Sequence, residues 1–467
     1  MQPECIKFLE KSNIEMSFTG KLMTSYGGFS LLAKLFEKIN LQENLDAIFP
    51  AIEISPNSKG IYSKLLTFGL TVIAGGKRFA HSVFLGDSTK VYEELFAVEK
   101  MVKSSTAITR MFNKIETFAL SAKLSESLWD YTFQTIIPFS KIESDYVNFD
   151  SKVITRYGEQ EGAKKGYNSK KKGRPSHHPN LAFLNEQKYV VNIWNREGSS
   201  SSGNGVTEFL KETLERIGDK MKIKGCIGDT GFYKIDLIKY LESRSIKYIL
   251  GVPFSQIVQK KIPKIETWSD VDGPNSGLSL AEFKFQHKDE KWDKDRRYIV
   301  IRQEIEKVEK AKGKQLKLFK DDFEISKYRY SCYITSMDLA PIEIWRTYRT
   351  RAGDENIIKE NTMDFGLEGF ALKSFYATEA AMLIRILYYN IINFFRREIL
   401  PENESTQTLG TLRYKYFVIP ALLGVDGKKF VLRLGVKAKK LKSKIKWILN
   451  KLDQYFDNFS NCTAVET

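Results

Sequence analysis

The stretch that decides the fold reads YRTRAGDENIIK and occupies residues 348–359. Pro341, a few residues ahead, suits the first position of a helix, so the sequence predicts a helix that begins there and continues through the stretch. At about 100° per residue, Tyr348, Arg351 and Glu355 then lie within about 60° of one another. Such a stripe is typical of a solvated, salt-bridged face, or of a carboxylate that holds a metal ion near a phosphate.

Two aspartates elsewhere in the chain are candidates for the same site. Asp150 lies in an alternating, β-rich segment at residues 145–154, and Asp229 ends a short apolar strand at 223–229. Carboxylates at neighbouring strand ends, together with one from a packed helix, can converge on one or two Mg²⁺ ions. Aspartates at strand ends also cap turns, and the spacing alone leaves both interpretations open.

The composition favours a globular protein with an anionic partner. The chain has 467 residues, of which 42% are hydrophobic and 28% charged, and this length suggests two to four domains. The formal net charge is +16 and the isoelectric point is about 9.3. Nucleic acid is the commonest anionic partner at this size, whereas a merely basic protein without such a partner is the alternative.

Cysteine usage and hydropathy predict a cytoplasmic, nucleoid-associated protein without membrane contact. The four cysteines have no metal-ligand spacing, which argues against a disulfide framework and against a zinc site. The first 11 residues lack the apolar core of a signal peptide. The most apolar segments, at 65–74 and 380–395, are too short or too interrupted by charge such as Arg385 to span a bilayer.

The first part of the chain, residues 1–140, is predicted to be a helical domain that binds DNA. A helix start with a hydroxyl cap lies at 104–112. Short helices with exposed cations are typical of a DNA-binding module. The available cations are Lys77, Arg78, Lys103, Arg110 and Lys114. A helical domain that only packs or dimerises is the alternative.

The pattern then changes to an α/β core. Strand candidates at 145–154, 180–184 and 189–194 are followed by helix 206–217, strand 223–229, helix 233–243 and strand 247–251. The order β-β-β-α-β-α-β predicts a layered first part of the core over 141–251. Residues 252–338 read as a β-rich insertion with a lysine-rich link at 307–320. Residues 339–400 are predicted to form the second part of the core, with the helix that carries Glu355. The basic region 401–467 is predicted to contact DNA or to dimerise.

A basic segment follows Asp150 and is predicted to be a flexible loop that contacts phosphates. It contains Lys164, Lys165, Tyr167, Lys170, Lys171, Lys172 and Arg174, interleaved with Gly, Asn and Ser. A solvated surface loop or an address signal is the alternative. His177 and His178 have no Cys or His partner at a suitable spacing, so we interpret them as structural or as DNA contacts.

Taken together, these motifs resemble the DDE transposases of bacterial insertion sequences. The similarity is greatest to the group with a Tyr-Arg-Glu-Lys signature on the helix of the third carboxylate, and it covers about residues 145–400. The motifs that carry it are NFDS at 148–151, GYN at 166–168, GRPS at 173–176, DTGFY at 229–233 and Tyr348-x2-Arg351-x3-Glu355. The helical N-terminal part fits the family more loosely, and the resemblance implies that it binds the DNA ends.

The resemblance implies a fold and a set of functional residues. The fold would be a ribonuclease-H-like mixed sheet flanked by helices, with a β-rich insertion before the glutamate helix. Asp150, Asp229 and Glu355 would be the catalytic ligands of two Mg²⁺ ions, with Mn²⁺ as a substitute. Tyr348 and Arg351 would contact phosphates of the transposon end.

The resemblance also implies an activity. Such an enzyme binds terminal inverted repeats in double-stranded DNA, hydrolyses phosphodiester bonds at the ends, and joins the 3′-hydroxyls to target DNA by transesterification, as a homodimer on the DNA. The alternatives are a catalytically silent, transposase-derived DNA-binding protein and a structure-specific nuclease on the same core.

One signature position departs from the family pattern. The signature lysine is expected seven residues after Glu355, where this chain has Thr362. Lys359 lies one turn earlier on the same side of the predicted helix, so it is the candidate for that phosphate contact. Some family members stack a flipped base on an aromatic residue of the insertion, for which Trp268 and Trp292 are candidates, although tryptophans in a β domain are more commonly packed.

Overall fold

The computed structural model describes residues 6–7, 14–49, 60–168, 171–253, 261–271, 277–288, 291–304 and 327–463. The strands are β1 (Ile6–Lys7), β2 (Glu15–Met16), β3 (Met23–Thr24), β4 (Ser144–Ser151), β5 (Ile154–Thr155), β6 (Lys164–Lys165), β7 (Pro175–His177), β8 (Asn180–Leu184), β9 (Val190–Trp194), β10 (Lys222–Gly228), β11 (Tyr248–Gly251), β12 (Ser269–Asp270), β13 (Leu278–Phe285), β14 (Arg296–Glu304), β15 (Tyr328–Thr335), β16 (Ala421–Asp426) and β17 (Lys429–Leu434).

The helices alternate with these strands along the chain. The α-helices are α1 (Phe29–Lys38), α2 (Leu41–Ile48), α3 (Ile61–Ile73), α4 (Thr89–Leu95), α5 (Ser105–Asn113), α6 (Phe118–Tyr131), α7 (Ile137–Phe139), α8 (Val206–Ile217), α9 (Ile235–Ser243), α10 (Pro341–Arg349), α11 (Ala352–Met363), α12 (Phe375–Phe394), α13 (Leu409–Leu412) and α14 (Lys439–Thr463). Short 3₁₀ segments lie at Phe79–Ser88, Thr230–Phe232, Ile262–Lys264 and Glu402–Glu404, and π-helical turns lie at Thr132–Ile136, Phe395–Ile399 and Arg413–Phe417.

The chain divides into two compact units. One comprises Met1–Leu124, Met363–Ala371 and Ala380–Thr467, and the other comprises Ser125–Thr362 and Leu372–Glu379. The first unit contains the helices α1 to α5 and α14, with a small sheet in the order β17-β16-β3. Every carboxylate of the predicted site belongs to the second unit. The domain bounds predicted from the sequence stay a prediction.

The second unit is built on a nine-stranded mixed sheet with flanking helices. The strand order is β12-β13-β14-β15-β11-β10-β4-β8-β9. Strands β4, β10 and β11 are parallel, while β8 and β9 on one side and β15 to β12 on the other are antiparallel. The predicted order β-β-β-α-β-α-β is confirmed as β4, β8, β9, α8, β10, α9 and β11, and with it the prediction of a mixed α/β sheet.

Burial explains the parallel centre of this sheet. All four residues of β11 are buried, as are the last four of β10, which is typical of central parallel strands covered on both faces. Gly228 is the last residue of β10, and a Cβ there would lie 2.4 Å from the ring of Phe149. The missing side chain therefore lets the end of β10 approach the residue that precedes Asp150.

The predicted β-rich insertion extends the same sheet. Strand β15 pairs with the core strand β11 through Leu250 and Ile334, and β14, β13 and β12 follow outward. The β-rich character predicted for this region is observed as the long strands β13, β14 and β15. The predicted lysine-rich link at 307–320 lies outside the described residues.

The prediction of one continuous helix through residues 341–359 was wrong. The chain forms α10 and α11, which are separated at Thr350 and Arg351. Around the break the amides bond three residues back: Arg351 N donates to Tyr348 O at 3.1 Å, and Asp354 N donates to Arg351 O at 2.8 Å. This tighter turn and the low helix propensity of Gly353 interrupt the α-helical pattern. The predicted stripe of Tyr348, Arg351 and Glu355 therefore does not exist as one helix face.

None of the described helices is both long and apolar enough to cross a membrane.

Candidate active site

Asp150 and Asp229 lie side by side at the ends of two parallel strands. Strands β4 and β10 pair in a register that places Phe149 opposite Gly228, so the next residue on each strand is an aspartate. Each aspartate anchors one oxygen to the backbone nearby: Asp150 Oδ1 accepts from Ser151 N at 2.7 Å, and Asp229 Oδ1 accepts from Gly231 N at 2.8 Å. The second oxygen of each carboxylate is left for another partner.

That partner is the guanidinium of Arg351. Its Nη2 lies 3.0 Å from Asp150 Oδ2 and 3.8 Å from Asp229 Oδ2. The Arg351 side chain is only 16% exposed, and the helix break at this residue directs it toward the sheet. One buried positive charge therefore lies between the two strand-end carboxylates.

Burial changes the acidity of these groups. It raises the pKa of Asp150 to about 6; Arg351 opposes that rise, while repulsion from Asp229 and Glu355 adds to it. Burial alone would lower the pKa of Arg351, but the carboxylates of Asp150, Asp229 and Asp354 raise it. Burial therefore favours the protonated form of Asp150, while the ionised carboxylates around Arg351 favour its charged form.

Asp354 is a buried carboxylate that the sequence interpretation missed. Its side chain is 0% exposed, its Oδ1 accepts from Asn148 Nδ2 at 3.0 Å, and its Oδ2 lies 4.0 Å from Arg351 Nε. Asn148 Nδ2 also donates to Asn185 Oδ1 at 2.8 Å, and Asn185 Nδ2 donates to Thr350 Oγ1 at 2.8 Å. Burial raises the pKa of Asp354 to about 7. This chain of contacts fixes the start of α11 against β4.

Glu355, the predicted third carboxylate, is exposed in the first turn of α11. Its charge contributes to the raised pKa of Asp150, so it lies within electrostatic range of that aspartate. Over the described ranges, no three His, Cys, Asp or Glu side chains are grouped so that they could hold a metal ion. Lys359 is exposed on the same side of α11, while Thr362 is half-buried.

Tyr348, the predicted phosphate contact, packs within the second unit. Its ring centroid lies 4.2 Å from that of Tyr333. A Cβ at Gly251 would lie 3.1 Å from the Tyr348 hydroxyl and 3.0 Å from the amide of Thr230, so the glycine makes room for both. Burial raises the pKa of this phenol, although Arg351 opposes the rise. The hydroxyl is therefore held at the same edge of the sheet as Asp229.

The basic segment after Asp150 is more ordered than the predicted flexible loop. Strands β5, β7 and β6 form a small antiparallel sheet within it. Lys164 pairs with Glu197 at 2.8 Å, and Lys171 lies 4.8 Å from the ring centroid of Tyr157. The exposed members are Lys164, Lys165, Tyr167, Lys171, Lys172 and Arg174, whereas Lys170 lies outside the described residues.

Both histidines of this segment are buried and hydrogen-bonded. His177 Nδ1 accepts from Arg156 Nε at 3.1 Å, which leaves Nε2 to donate to Glu161 O at 2.8 Å. Burial lowers the pKa of His177 to about 4, and the neighbouring Arg156 charge adds to the effect. His178 Nε2 lies 3.0 Å from Ser151 Oγ, next to Asp150. These contacts support the structural interpretation of both residues.

The two tryptophans considered for base stacking differ in accessibility. Trp292 is 8% exposed, and its ring centroid lies 4.3 Å from that of His287. Trp268 is half-buried, with the Arg302 guanidinium 4.2 Å from its ring centroid. Stacking on either residue stays a prediction, and Trp268 is the more accessible of the two.

Asp150 and Asp229 provide the type of ligand that a divalent cation prefers. Both provide hard oxygen donors, and each turns one free oxygen toward a position that the Arg351 guanidinium, itself a cation, approaches in this structure. The residues present therefore fit a divalent ion through these two aspartates. Glu355 lies at the adjoining start of α11 but is not grouped with the two aspartates as a third ligand in the described residues.

A comparison with protein families gives a match over nearly the whole chain. The model of a family described as "Transposase DDE domain group 1" matches residues 6–455. The chain belongs to this family of DDE transposases, and the resemblance inferred from the motifs is confirmed.

No curated protein sequence matches the chain. Among solved structures, the chain is similar to the piggyBac transposase in a synaptic complex with hairpin DNA, determined by cryo-EM. That match has 13% sequence identity, covers 83% of this chain and 84% of the other, and has a TM-score of 0.38.

Proposed function

We propose that the protein is an insertion-sequence transposase that binds the terminal inverted repeats of its element. It hydrolyses phosphodiester bonds at the DNA ends in a metal-dependent reaction and joins the 3′-hydroxyls to target DNA by transesterification. The observation that carries the proposal is the pair Asp150 and Asp229, which turn one oxygen each toward a single cation at adjacent strand ends. Membership of the DDE transposase family supports it.

The catalytic core would be ribonuclease-H-like. We assign to it the strands β9, β8, β4, β10 and β11, with the helices α8, α9 and α11. The arrangement supports this assignment because the parallel strands β4 and β10 end together at the two aspartates. Polar groups at the ends of adjacent parallel strands meet at one sheet edge, where α/β proteins commonly have their sites.

Asp150, Asp229 and Glu355 would hold two Mg²⁺ ions, with Mn²⁺ as a substitute. When bound, such ions activate water or a 3′-hydroxyl and stabilise the leaving oxygen. The protein's own contribution is orientation. Ser151 N and Gly231 N each hold one aspartate oxygen, so the carboxylate planes are set before any ligand arrives. Asp354 and Asn148 fix the helix start that presents Glu355.

Arg351 and Tyr348 would contact DNA phosphates beside the carboxylates. In the free protein Arg351 neutralises Asp150 and Asp229, and a guanidinium of this kind also binds phosphate oxygens well. Lys359 would add a phosphate contact on the exposed side of α11. The exposed members of the basic segment would bind the duplex further out. The same interpretation implies a homodimer, which acts on both transposon ends and on target DNA.

The test is cleavage of a supercoiled plasmid that carries the element's ends, with Mg²⁺ present. Asp150→Ala, Asp229→Ala and Glu355→Ala should each abolish strand cleavage, with a loss of at least about 10³-fold, while fluorescence anisotropy shows end binding retained. Asp236→Ala, at an exposed acid in the first turn of α9, is the matched control and should cleave normally. Cleavage retained in any of the three variants would overturn the site assignment.

A catalytically silent, transposase-derived DNA-binding protein is the second candidate. Thr362 in place of the signature lysine and the exposed position of Glu355 favour it. The same assay separates the candidates, because a silent protein would bind the ends and leave the plasmid intact. A structure-specific nuclease on this core would instead cut plasmids that lack the inverted repeats.

A further inference from the structure

We propose that hairpin β16–β17 and the first turns of α14 bind the phosphate backbone of double-stranded DNA independently of sequence. The inference rests on the proposed function only for the identity of the partner. The residues concerned, here called the C-terminal basic surface, are exposed cations. They are Lys428, Lys429, Arg433, Lys437, Lys439, Lys440, Lys442 and Lys446.

None of these eight cations has a carboxylate within 4.0 Å in the described part of the chain. Other charges of the same region are neutralised internally. Asp453 of α14 lies 2.6 Å from Lys34 of α1, and Glu404 lies 2.5 Å from Lys444. Asp426, at the hairpin turn, is the one acid between residues 421 and 446. The basic surface therefore keeps a large unbalanced positive charge.

Packing determines which face of α14 carries this charge. Ile445, Ile448 and Leu452 are buried. At about 100° per residue, Lys439, Lys442 and Lys446 fall within about 60° of one another, roughly 120° around the helix from these buried residues. Their side chains therefore point away from the core of the first unit and form one row along the helix.

This arrangement is unfavourable in the free protein. Lysines near the start of a helix oppose its macrodipole, and the first turn of α14 contains no acidic residue to offset them. Like charges on neighbouring turns repel one another as well. A polyanion removes both costs, so the charge pattern favours a partner with closely spaced negative charges.

DNA fits this surface better than a second copy of the chain. A two-fold dimer places the same patch of each copy against the other, so a contact through this surface would bring cations against cations. DNA presents a phosphate charge about every 1.7 Å along its axis. A two-stranded antiparallel ribbon such as β16–β17 also has dimensions that the major groove admits.

The hairpin tip adds an apolar element. Val425 and Phe430 are cross-strand partners and are 66% and 51% exposed. Exposed apolar side chains at the end of a basic ribbon can lie within the groove while the cations contact phosphates. The tip is therefore compatible with the same partner.

The experiment measures binding of the full chain to a short random-sequence duplex by fluorescence anisotropy over a range of salt concentrations. The variant is Lys439→Gln/Lys442→Gln/Lys446→Gln. The matched control is Lys211→Gln/Lys220→Gln/Lys222→Gln, which removes the same charge from three exposed lysines of the second unit. Each lost phosphate contact lowers the slope of log K against log salt by about 0.9.

We expect the basic-surface variant to lose roughly 10- to 100-fold in affinity at physiological salt and about three units of slope, while the control matches the wild type. Equal slopes for both variants would overturn the inference while leaving the proposed function intact. Loss of self-association in analytical ultracentrifugation, with DNA binding unchanged, would overturn it in favour of a dimer contact. Failure of the wild-type chain to bind any duplex would instead contradict the proposed function.

Discussion

The carboxylate site and the C-terminal basic surface arrange their charges in opposite ways. At the site, Asp150, Asp229 and Asp354 surround one guanidinium, and the group is largely buried. At the C-terminal basic surface the cations are exposed, and no carboxylate of the described residues lies within 4.0 Å of them. The contribution of buried charges to stability depends on their partners and on pH, because water cannot solvate them. The interactions of exposed charges depend on the salt concentration and on binding partners from solution.

Removal of Arg351 should give the largest effect on stability. Arg351→Gln leaves the buried carboxylates of Asp150 and Asp354 without their positive partner. Loss of one member of a buried ion group typically costs about 3–5 kcal/mol. We expect a loss of this size in urea unfolding at pH 8 and a smaller one at pH 5, where both carboxyls bind protons. An equal loss at both pH values would contradict the buried cluster.

Asp354→Asn tests the pH dependence of the same cluster. The pKa of Asp354 is raised from its ordinary value to about 7, so the folded protein holds its proton more tightly than the unfolded chain. This contribution to stability is complete below about pH 4 and is lost as the pH rises to 7, by roughly 4 kcal/mol.

The asparagine keeps the oxygen that accepts from Asn148 but cannot ionise. Its free energy of unfolding should therefore rise relative to that of the wild type between pH 4 and 7. Parallel curves for the two proteins would show that Asp354 is ionised in both the folded and the unfolded states.

The contribution of His177 to stability should change with pH in the opposite direction. Its pKa is lowered to about 4, so between pH 6.5 and 4 the unfolded chain binds a proton that the folded chain does not. Stability is lost as the pH falls through this window, by about 3 kcal/mol. Nitrogen-detected NMR should find a neutral imidazole, protonated at Nε2, down to about pH 4. An imidazolium at pH 6 would contradict the contact with Arg156.

The exposed pair of Lys164 and Glu197 should give the smallest effect. The two side chains are 57% and 45% exposed, and surface pairs contribute about 0–1 kcal/mol. Glu197→Gln should change the free energy of unfolding by less than about 1 kcal/mol at any pH between 5 and 8. A loss as large as that of Arg351→Gln would remove the distinction between buried and exposed charges.

The sequence predicted the features that depend on local patterns. Strands β4, β8, β10 and β11 have the apolar runs and turn residues that mark strands, and the order of elements placed two aspartates at strand ends. The helix break could not be predicted in this way. Pro341 and the helical spacing favour one helix, whereas tertiary contacts, including the bond from Asn185 to Thr350, stabilise the turn.

Asp354 shows a second limit of prediction from the sequence. Asp354 and Glu355 are adjacent, and the family spacing selects Glu355, but burial distinguishes the two. The partner of Asp354, Asn148, lies 206 residues away in the chain, so no local pattern reveals the contact. The small sheet in the basic segment was missed for a similar reason, since its strands β5 and β6 have only two residues each.

The central claim is that Asp150 and Asp229 form a divalent-cation site at the ends of β4 and β10. Calorimetric titration of the DNA-free protein with Mn²⁺ tests it directly. The account predicts that Mn²⁺ binding is lost in Asp229→Asn, retained in Asp236→Asn and tightened in Arg351→Gln, where the competing guanidinium is absent. Unchanged Mn²⁺ binding in Asp229→Asn would contradict the account.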